Sequence, residues 1–287
     1  DDTISLLGAS AFNAFAQDLG VVSVADNNAG YNKAAQSGDS ANAVFLAGTD
    51  NGEVITASNI FAQIAPASTT KILTALVALK YASDDLDKEF TLTDAVTVED
   101  WDSSNAGFEP GDKVTLRTLI YSMLVVSGND AANGVACAVA GDVSSFADLM
   151  NETARSLGAT HSHFTEPHGL DRENHFTTAY DLYLIFRECL KYDLFVDAAG
   201  KSSYTAHFTR GGESATLEFD STDKYLNGDE EVPDGVLIVA GKTGTTDNAG
   251  HCLILYVKDS EGTGYISVVM GALQTDVLYR SMTSLLK

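Results

Sequence analysis

At 287 residues and 45% hydrophobic composition, the chain can bury either one large core or two lobes that share a cleft. Its formal charge of -23, from 17 basic and 40 acidic residues, argues against nucleic acid or an anionic membrane as partner, because phosphate binding needs concentrated Lys and Arg. No apolar run approaches the roughly 18 residues of a membrane helix. The opening at Asp1 shows no basic and apolar leader, which fits a mature or trimmed form if the protein is exported.

Residues 1 to 40 read as a helical or loosely ordered lead-in without chemistry. Two β-rich runs over 42–58 flank Asn51-Gly52, a pair that predicts a hairpin. Ile72, Leu73, Leu76, Val77 and Leu79 follow helical spacing and predict a core helix from Pro66 to Tyr81. The acidic groups Asp84, Asp85, Asp87 and Asp229, Glu230, Glu231 read as solvated faces rather than metal sites.

The stretch from about 95 to 195 reads as mostly helical. Leu116, Leu119, Ile120, Met123 and Leu124 form one stripe, and Asp130 is expected to cap the next helix, which runs to Ala140. That leaves Ser127, Gly128 and Asn129 in a tight turn between the two. Three strand-like runs follow Val236, and Asp276 to Leu286 predicts a closing helix. Strands at both ends with helices between them imply an α+β fold, an antiparallel sheet split around a helical insertion. Cys137, Cys189 and Cys252 are odd in number, widely spaced and set among apolar neighbours, as expected of buried free thiols.

Three polar clusters carry the chemistry: Ser68 and Lys71 in PASTTK, Ser127 and Asn129 in SGN, and Lys242, Thr243 and Gly244 in KTG. Each is short enough to arise by chance, but the three in this order outline a serine acyl-transfer site that uses lysine as base. Pro66 suits the first position of a helix, so Ser68 falls in the opening turn, where its backbone N–H is an orphan donor able to stabilise an oxyanion. Lys71, three residues on, shares the helix face, and its amine can reach the Ser68 hydroxyl. A solvated lysine is a poor base, so Lys71 must be desolvated or lie near a second cation, for which Lys242 is the candidate.

Ser127 can relay a proton to the leaving amine, and Asn129 can fix the lysine and a substrate peptide group. The glycines around the third cluster suit a peptide bound as an added strand. There Lys242 and Thr243 would hold a carboxylate, and the Thr245 N–H would be the second oxyanion donor. His161, His163 and His168 lie close together but lack zinc spacing, so neither metal nor other cofactor is expected. Glu166, beside Pro167, reads as a surface carboxylate.

The three clusters, with GFEPGDKVTLRTLIYSMLVVSGNDAAN, ARSLGATHSHFTEPHGLDRENHFTTAYDL and GKTGTTDNAGHCLILY, resemble the D-alanyl-D-alanine carboxypeptidases among the low-molecular-weight penicillin-binding proteins, over roughly residues 42–275. The resemblance implies the penicillin-binding-protein and β-lactamase type of fold, with a five-stranded antiparallel sheet flanked by helices and an inserted helical lobe. The peptidase domain would span 41–287, with an α/β lobe at about 41–94 and 178–287 and a helical lobe at about 95–177. It further implies removal of the terminal D-alanine from peptidoglycan stem peptides through an acyl-enzyme on Ser68, covalent inhibition by β-lactams, and a place in the bacterial cell envelope or outside it. Membrane association would come only through segments absent from this chain. The family commonly has Asn at the position of Glu166, and an Arg near the final helix where this chain has Leu278, Tyr279 and Arg280. Two alternatives share these clusters: a β-lactamase using Glu166 for deacylation, and a non-catalytic module that binds penicillin or wall peptide.

Overall fold

The computed structural model describes residues 41–100 and 103–287; the expected lead-in over 1–40 lies outside them. The described residues open with the predicted hairpin of β1 (Ala43–Gly48) and β2 (Val54–Ser58), in which Val44 faces Ser58 and the Asn51 side chain accepts the Glu53 N–H across the turn. Helix α1 (Thr70–Tyr81) follows, then the short strands β3 (Glu89–Thr91) and β4 (Lys113–Thr115). Four helices come next: α2 (Leu116–Val125), α3 (Asn129–Ala140), α4 (Val143–Ser156) and α5 (Ala179–Cys189). After α6 (Asp193–Ala199) come the paired strands β5 (Ser203–Arg210) and β6 (Glu213–Asp220) and the one-turn α7 (Lys224–Asn227). The C-terminal part is β7 (Leu237–Thr246), β8 (Gly250–Lys258), β9 (Gly264–Ala272) and α8 (Thr275–Leu285).

The main sheet is five-stranded, antiparallel and ordered β2-β1-β9-β8-β7, so that the N-terminal hairpin completes a C-terminal meander. Both faces are buried, and the period-two alternation of a strand sorts the side chains between them. Leu253, Leu255 and Val269 pack against Val277, Leu278 and Met282 of α8. Phe45, Ile254, Ile266 and Val268 face the opposite way, into a larger core built with the remaining helices. At its centre lies α1, buried continuously from Thr70 to Leu79, as expected of a helix with neighbours on every side. None of the helices among the described residues is long and apolar enough to cross a membrane.

Two local readings change. The α-helix starts at Thr70, four residues after Pro66, because a 3₁₀ turn over Ala67–Thr69 intervenes with Ala67 in the left-handed region at φ 50. Ser68 therefore sits on a tight turn ahead of the helix, although Lys71 still follows it on the same face. Asp130 does not cap its helix; the cap position is Gly128. Its carboxylate instead accepts backbone N–H groups from Ala106, Gly107 and Phe108 at 2.7 to 2.9 Å, clamping the segment that precedes β4 against α3.

A second antiparallel sheet, β3-β4-β5-β6, has no counterpart in the sequence reading. Its hairpin pairs Ser203 with Asp220 through Arg210 with Glu213, closed by Gly211 and Gly212 at φ 62 and 88. Positive φ at both central residues is what a two-residue hairpin turn requires, and it makes Gly-Gly a readable signal. Of the three free thiols, Cys189 and Cys252 are buried as expected, whereas Cys137 is only partly so.

Candidate active site

The three clusters converge on one open cleft of about 850 Å³, whose walls include Ser68, Ser127, Thr243, Gly244 and Thr245. Its floor is the turn before α1, one wall is the β7 edge, and the other is the turn between α2 and α3. Strand β7 ends the sheet, pairing with β8 on one side only. Gly244 brings that edge against the serine: a Cβ built on it would lie 2.9 Å from the Ser68 backbone N and 3.0 Å from that of Thr69. Any side chain there would fill the space in front of the Ser68 N–H.

Lys71 is fully buried, and its Nζ lies 2.7 Å from Ser68 Oγ, 2.6 Å from Asn129 Oδ1 and 2.8 Å from the His168 carbonyl oxygen. Burial holds its pKa well below the usual lysine value, and the charge of Lys242 lowers it further, against smaller opposing effects from Glu166 and Asp130. A neutral amine has two N–H donors and one lone pair. With the two carbonyl oxygens taking the donors, the lone pair is left for the serine hydroxyl. Asn129 is itself oriented by donating to Ser103 Oγ at 2.8 Å.

On the opposite wall Lys242, 1% exposed, donates to Ser127 Oγ at 3.0 Å and to the Thr243 carbonyl at 2.9 Å. Burial pulls its pKa down to about 7, and Asp223 acts in the opposite direction. Ser127 adopts φ 65, a left-handed conformation uncommon outside glycine and short polar residues, which aims its side chain into the cleft from the α2–α3 turn. Thr243 Oγ1 meets Thr222 Oγ1 at 2.5 Å, and Thr245 Oγ1 meets His251 Nδ1 at 3.0 Å.

All eight predicted site residues thus come together around the cleft, and the structure adds partners that the sequence reading missed. His168 contributes through its backbone carbonyl to Lys71. Glu166 is buried rather than on the surface: its Oε1 lies 2.8 Å from His168 Nδ1 and accepts the Gly169 N–H at 2.9 Å, while Oε2 is 3.6 Å from Arg172 Nε. Two cationic or polar neighbours and a backbone donor explain how a carboxylate beside a proline is taken inside. Gly169 packs so closely that a Cβ would lie 1.8 Å from the Ala67 carbonyl oxygen, which locks this loop onto the serine turn. His175 supports the same turn from behind through Thr70 Oγ1 at 2.9 Å, with its pKa pushed down to about 4 by burial.

Asp223 is buried beneath β7, with Oδ1 accepting the Tyr225 N–H at 3.0 Å; its Oδ2 has no partner among the described residues and faces Gly241, where a built Cβ would lie 2.7 Å away. Burial raises its pKa to about 6. Arg280, by contrast, lies on the exposed side of α8, paired with Asp276 at 3.2 Å and outside the cleft walls.

Comparison with known proteins follows the same outline. The profile of a family described as D-alanyl-D-alanine carboxypeptidase matches residues 31–274. The D-alanyl-D-alanine carboxypeptidase DacF of Bacillus subtilis is 31% identical over 228 residues, covering 78% of this chain and 55% of the relative. DacC of Escherichia coli, of the same description, is 31% identical over 246 residues, covering 82% and 58%. The chain therefore spans little more than half the length of these relatives. Among solved structures, a Streptomyces DD-transpeptidase superposes with a TM-score of 0.77 at 26% identity, covering 86% of this chain and 95% of that one.

Proposed function

We propose, from the premise that the chain belongs to the D-alanyl-D-alanine carboxypeptidase family, that it is a serine D,D-carboxypeptidase of the bacterial cell envelope, removing the terminal D-alanine of peptidoglycan stem peptides. The observation that carries the reading is the setting of Lys71, whose desolvated amine spends its two donors on Asn129 and His168 and keeps its lone pair for Ser68. A binding module has no need of such an arrangement. The cleft would lie between the α/β lobe, about 41–94 and 178–287, and the helical lobe, about 95–177.

In this mechanism the peptide lies antiparallel along the free edge of β7, with its penultimate carbonyl over Ser68. The Ser68 hydroxyl gives its proton to Lys71 as Oγ bonds to the carbonyl carbon, and the oxyanion is held by the N–H groups of Ser68 and Thr245. As the C–N bond breaks, Ser127, hydrogen-bonded to Lys242, passes its proton to the nitrogen of the departing D-alanine and is reprotonated with the proton that Lys71 took from Ser68, which leaves Lys71 neutral again. Water then gives a proton to Lys71 as it attacks the acyl carbon, and Lys71 returns that proton to Ser68 Oγ as the ester bond breaks, which frees the shortened peptide and restores Ser68. Lys242 and Thr243 bind the substrate near its carboxylate. β-Lactams, whose ring amide mimics the scissile bond, would acylate Ser68 and leave slowly.

The test is release of D-alanine from diacyl-L-lysyl-D-alanyl-D-alanine, with Ser68→Ala as control. Release by the intact protein and none by the variant is the expected result; no release by the intact protein would defeat the reading.

A further inference from the structure

The two oxyanion donors belong to distant parts of the chain, and a tetrahedral intermediate needs both at one spacing. The Ser68 N–H lies on the turn before α1, and the Thr245 N–H lies on β7. Gly244 brings these segments into contact, yet among the described residues no hydrogen bond joins residues 66–70 to β7. Contact at a glycine sets how close the two can come, but it does not stop one from sliding past the other.

The loop over residues 166–171 supplies a connection from outside the cleft. Gly169, at φ 95, packs against the Ala67 carbonyl with no room for a Cβ, and the His168 carbonyl accepts from Lys71. Two residues later Asp171, half-buried and outside the cleft walls, reaches the far end of β7. One carboxylate oxygen, Oδ1, accepts the Thr246 hydroxyl at 2.7 Å, and the other, Oδ2, accepts the Asn248 N–H at 3.0 Å. The Thr246 hydroxyl in turn accepts the Ala249 N–H at 3.1 Å, so the same carboxylate orders the strand end and the β7–β8 turn. Two charge-assisted bonds from one side chain leave the strand little freedom to slide. Two residues span at most about 7 Å of chain, so the serine turn and the neighbour of Thr245 share one short brace.

We propose that Asp171 is the positioning residue of the oxyanion hole: by tying Thr246 and Asn248 to the loop that Gly169 locks onto the serine turn, it sets the distance between the Ser68 and Thr245 N–H groups. It acts through Thr246 and does not itself line the cleft. The inference rests on the acyl-transfer reading of the cleft and assigns the part that aligns its two halves. A peptide bound along β7 moves with that strand. Loss of the brace therefore leaves binding in place and misaligns the carbonyl over Ser68, which weakens the transition state alone.

Substitutions at both ends of the link test it. Asp171→Ala and Thr246→Val each remove the link, whereas Asp171→Asn and Thr246→Ser keep a hydrogen-bonding group in place. The rate of Ser68 acylation by a labelled penicillin, followed by intact mass, should fall about 10- to 100-fold for the first pair and less than about threefold for the second. Combining Asp171→Ala with Thr246→Val should cost no more than Asp171→Ala alone. In the Ser68→Ala background, calorimetry should give diacyl-L-lysyl-D-alanyl-D-alanine a Kd that Asp171→Ala changes by less than about threefold. Thermal melting checks folding, and should Asp171→Ala unfold, Thr246→Val carries the same comparison. Unchanged acylation in the first pair, equal losses in Asp171→Ala and Asp171→Asn, additive losses in the double variant, or a Kd that weakens in step with the rate overturns the assignment. The carboxypeptidase reading fails differently: penicillin acylates Ser68 in the intact protein, which releases no D-alanine.

Discussion

The floor of the cleft and one of its walls each carry a buried lysine, and their surroundings suit the two side chains to opposite tasks. Lys71 sits among uncharged oxygens, those of Ser68, Asn129 and His168, with a second lysine nearby to penalise its proton. Lys242 has a buried carboxylate behind it, Asp223, which favours the proton that burial would otherwise remove. One setting makes a base and the other keeps a cation within reach of neutral pH. Residue type alone does not decide between them: both lysines are as desolvated as a folded protein makes them, and the difference is the nearest charge.

The comparison breaks most sharply on substitution by arginine, which keeps the positive charge but cannot become neutral. Lys71→Arg should cost about 10²- to 10⁴-fold in the rate of Ser68 acylation, the range for loss of a general base. Lys242→Arg, needed only as a cation, should cost far less. Acylation by a labelled penicillin, followed by intact mass, reads both, and thermal melting checks that each variant folds around the larger side chain. Equal losses at the two positions would end the division of labour.

Much of this contrast was legible in the sequence, and the missing part has a physical reason. Ser68 and Lys71 are three apart, so the 3₁₀ turn that leads into α1 keeps them on one face much as the expected α-helix would, and Ser127, Asn129, Lys242 and Thr243 announce themselves as polar residues at turns or among strand-forming neighbours. His168 acts through a carbonyl oxygen, which every residue possesses, so no side-chain pattern could mark it. Asp223 and Thr222 lie in an unremarkable polar loop, and only the docking of that loop against β7 gives them a role. Glu166 was misread because a carboxylate next to proline usually belongs to a solvated loop, whereas His168, Arg172 and the Gly169 N–H make this one burial tolerable. The β5–β6 hairpin is a different kind of miss, since Gly211-Gly212 between β-rich runs was there to be read.

A second, smaller effect sharpens the contrast through pH. Acylation needs Lys71 without its proton and Lys242 with one. The rate constant should therefore climb as pH rises through the depressed value of Lys71 and fall as pH rises through about 7, where Lys242 loses its charge. Above about 6 Asp223 is ionised and raises the Lys242 value. Asp223→Asn removes that charge while keeping an oxygen for the Tyr225 N–H, so the falling limb should move to lower pH by about one unit. A falling limb that stays in place or moves upward in the pH profile of kcat/KM would show that Asp223 does not govern Lys242.

The smallest effect belongs to Glu166, which stands on the Lys71 side and on which the carboxypeptidase reading and the β-lactamase alternative differ. Its two oxygens face His168, the Gly169 N–H and Arg172, an arrangement that orders the loop whose His168 carbonyl holds Lys71. A carboxylate occupied in this way organises the base rather than activating water itself. Glu166→Gln keeps an acceptor for Gly169 and loses only the charge. It should slow acylation modestly and change the lifetime of the penicilloyl-Ser68 adduct by much less than the ~10²-fold that loss of a water-activating base costs. Mass spectrometry of the adduct over time decides it: a lifetime lengthened a hundredfold would make Glu166 the deacylating base and return the chain to the β-lactamase alternative.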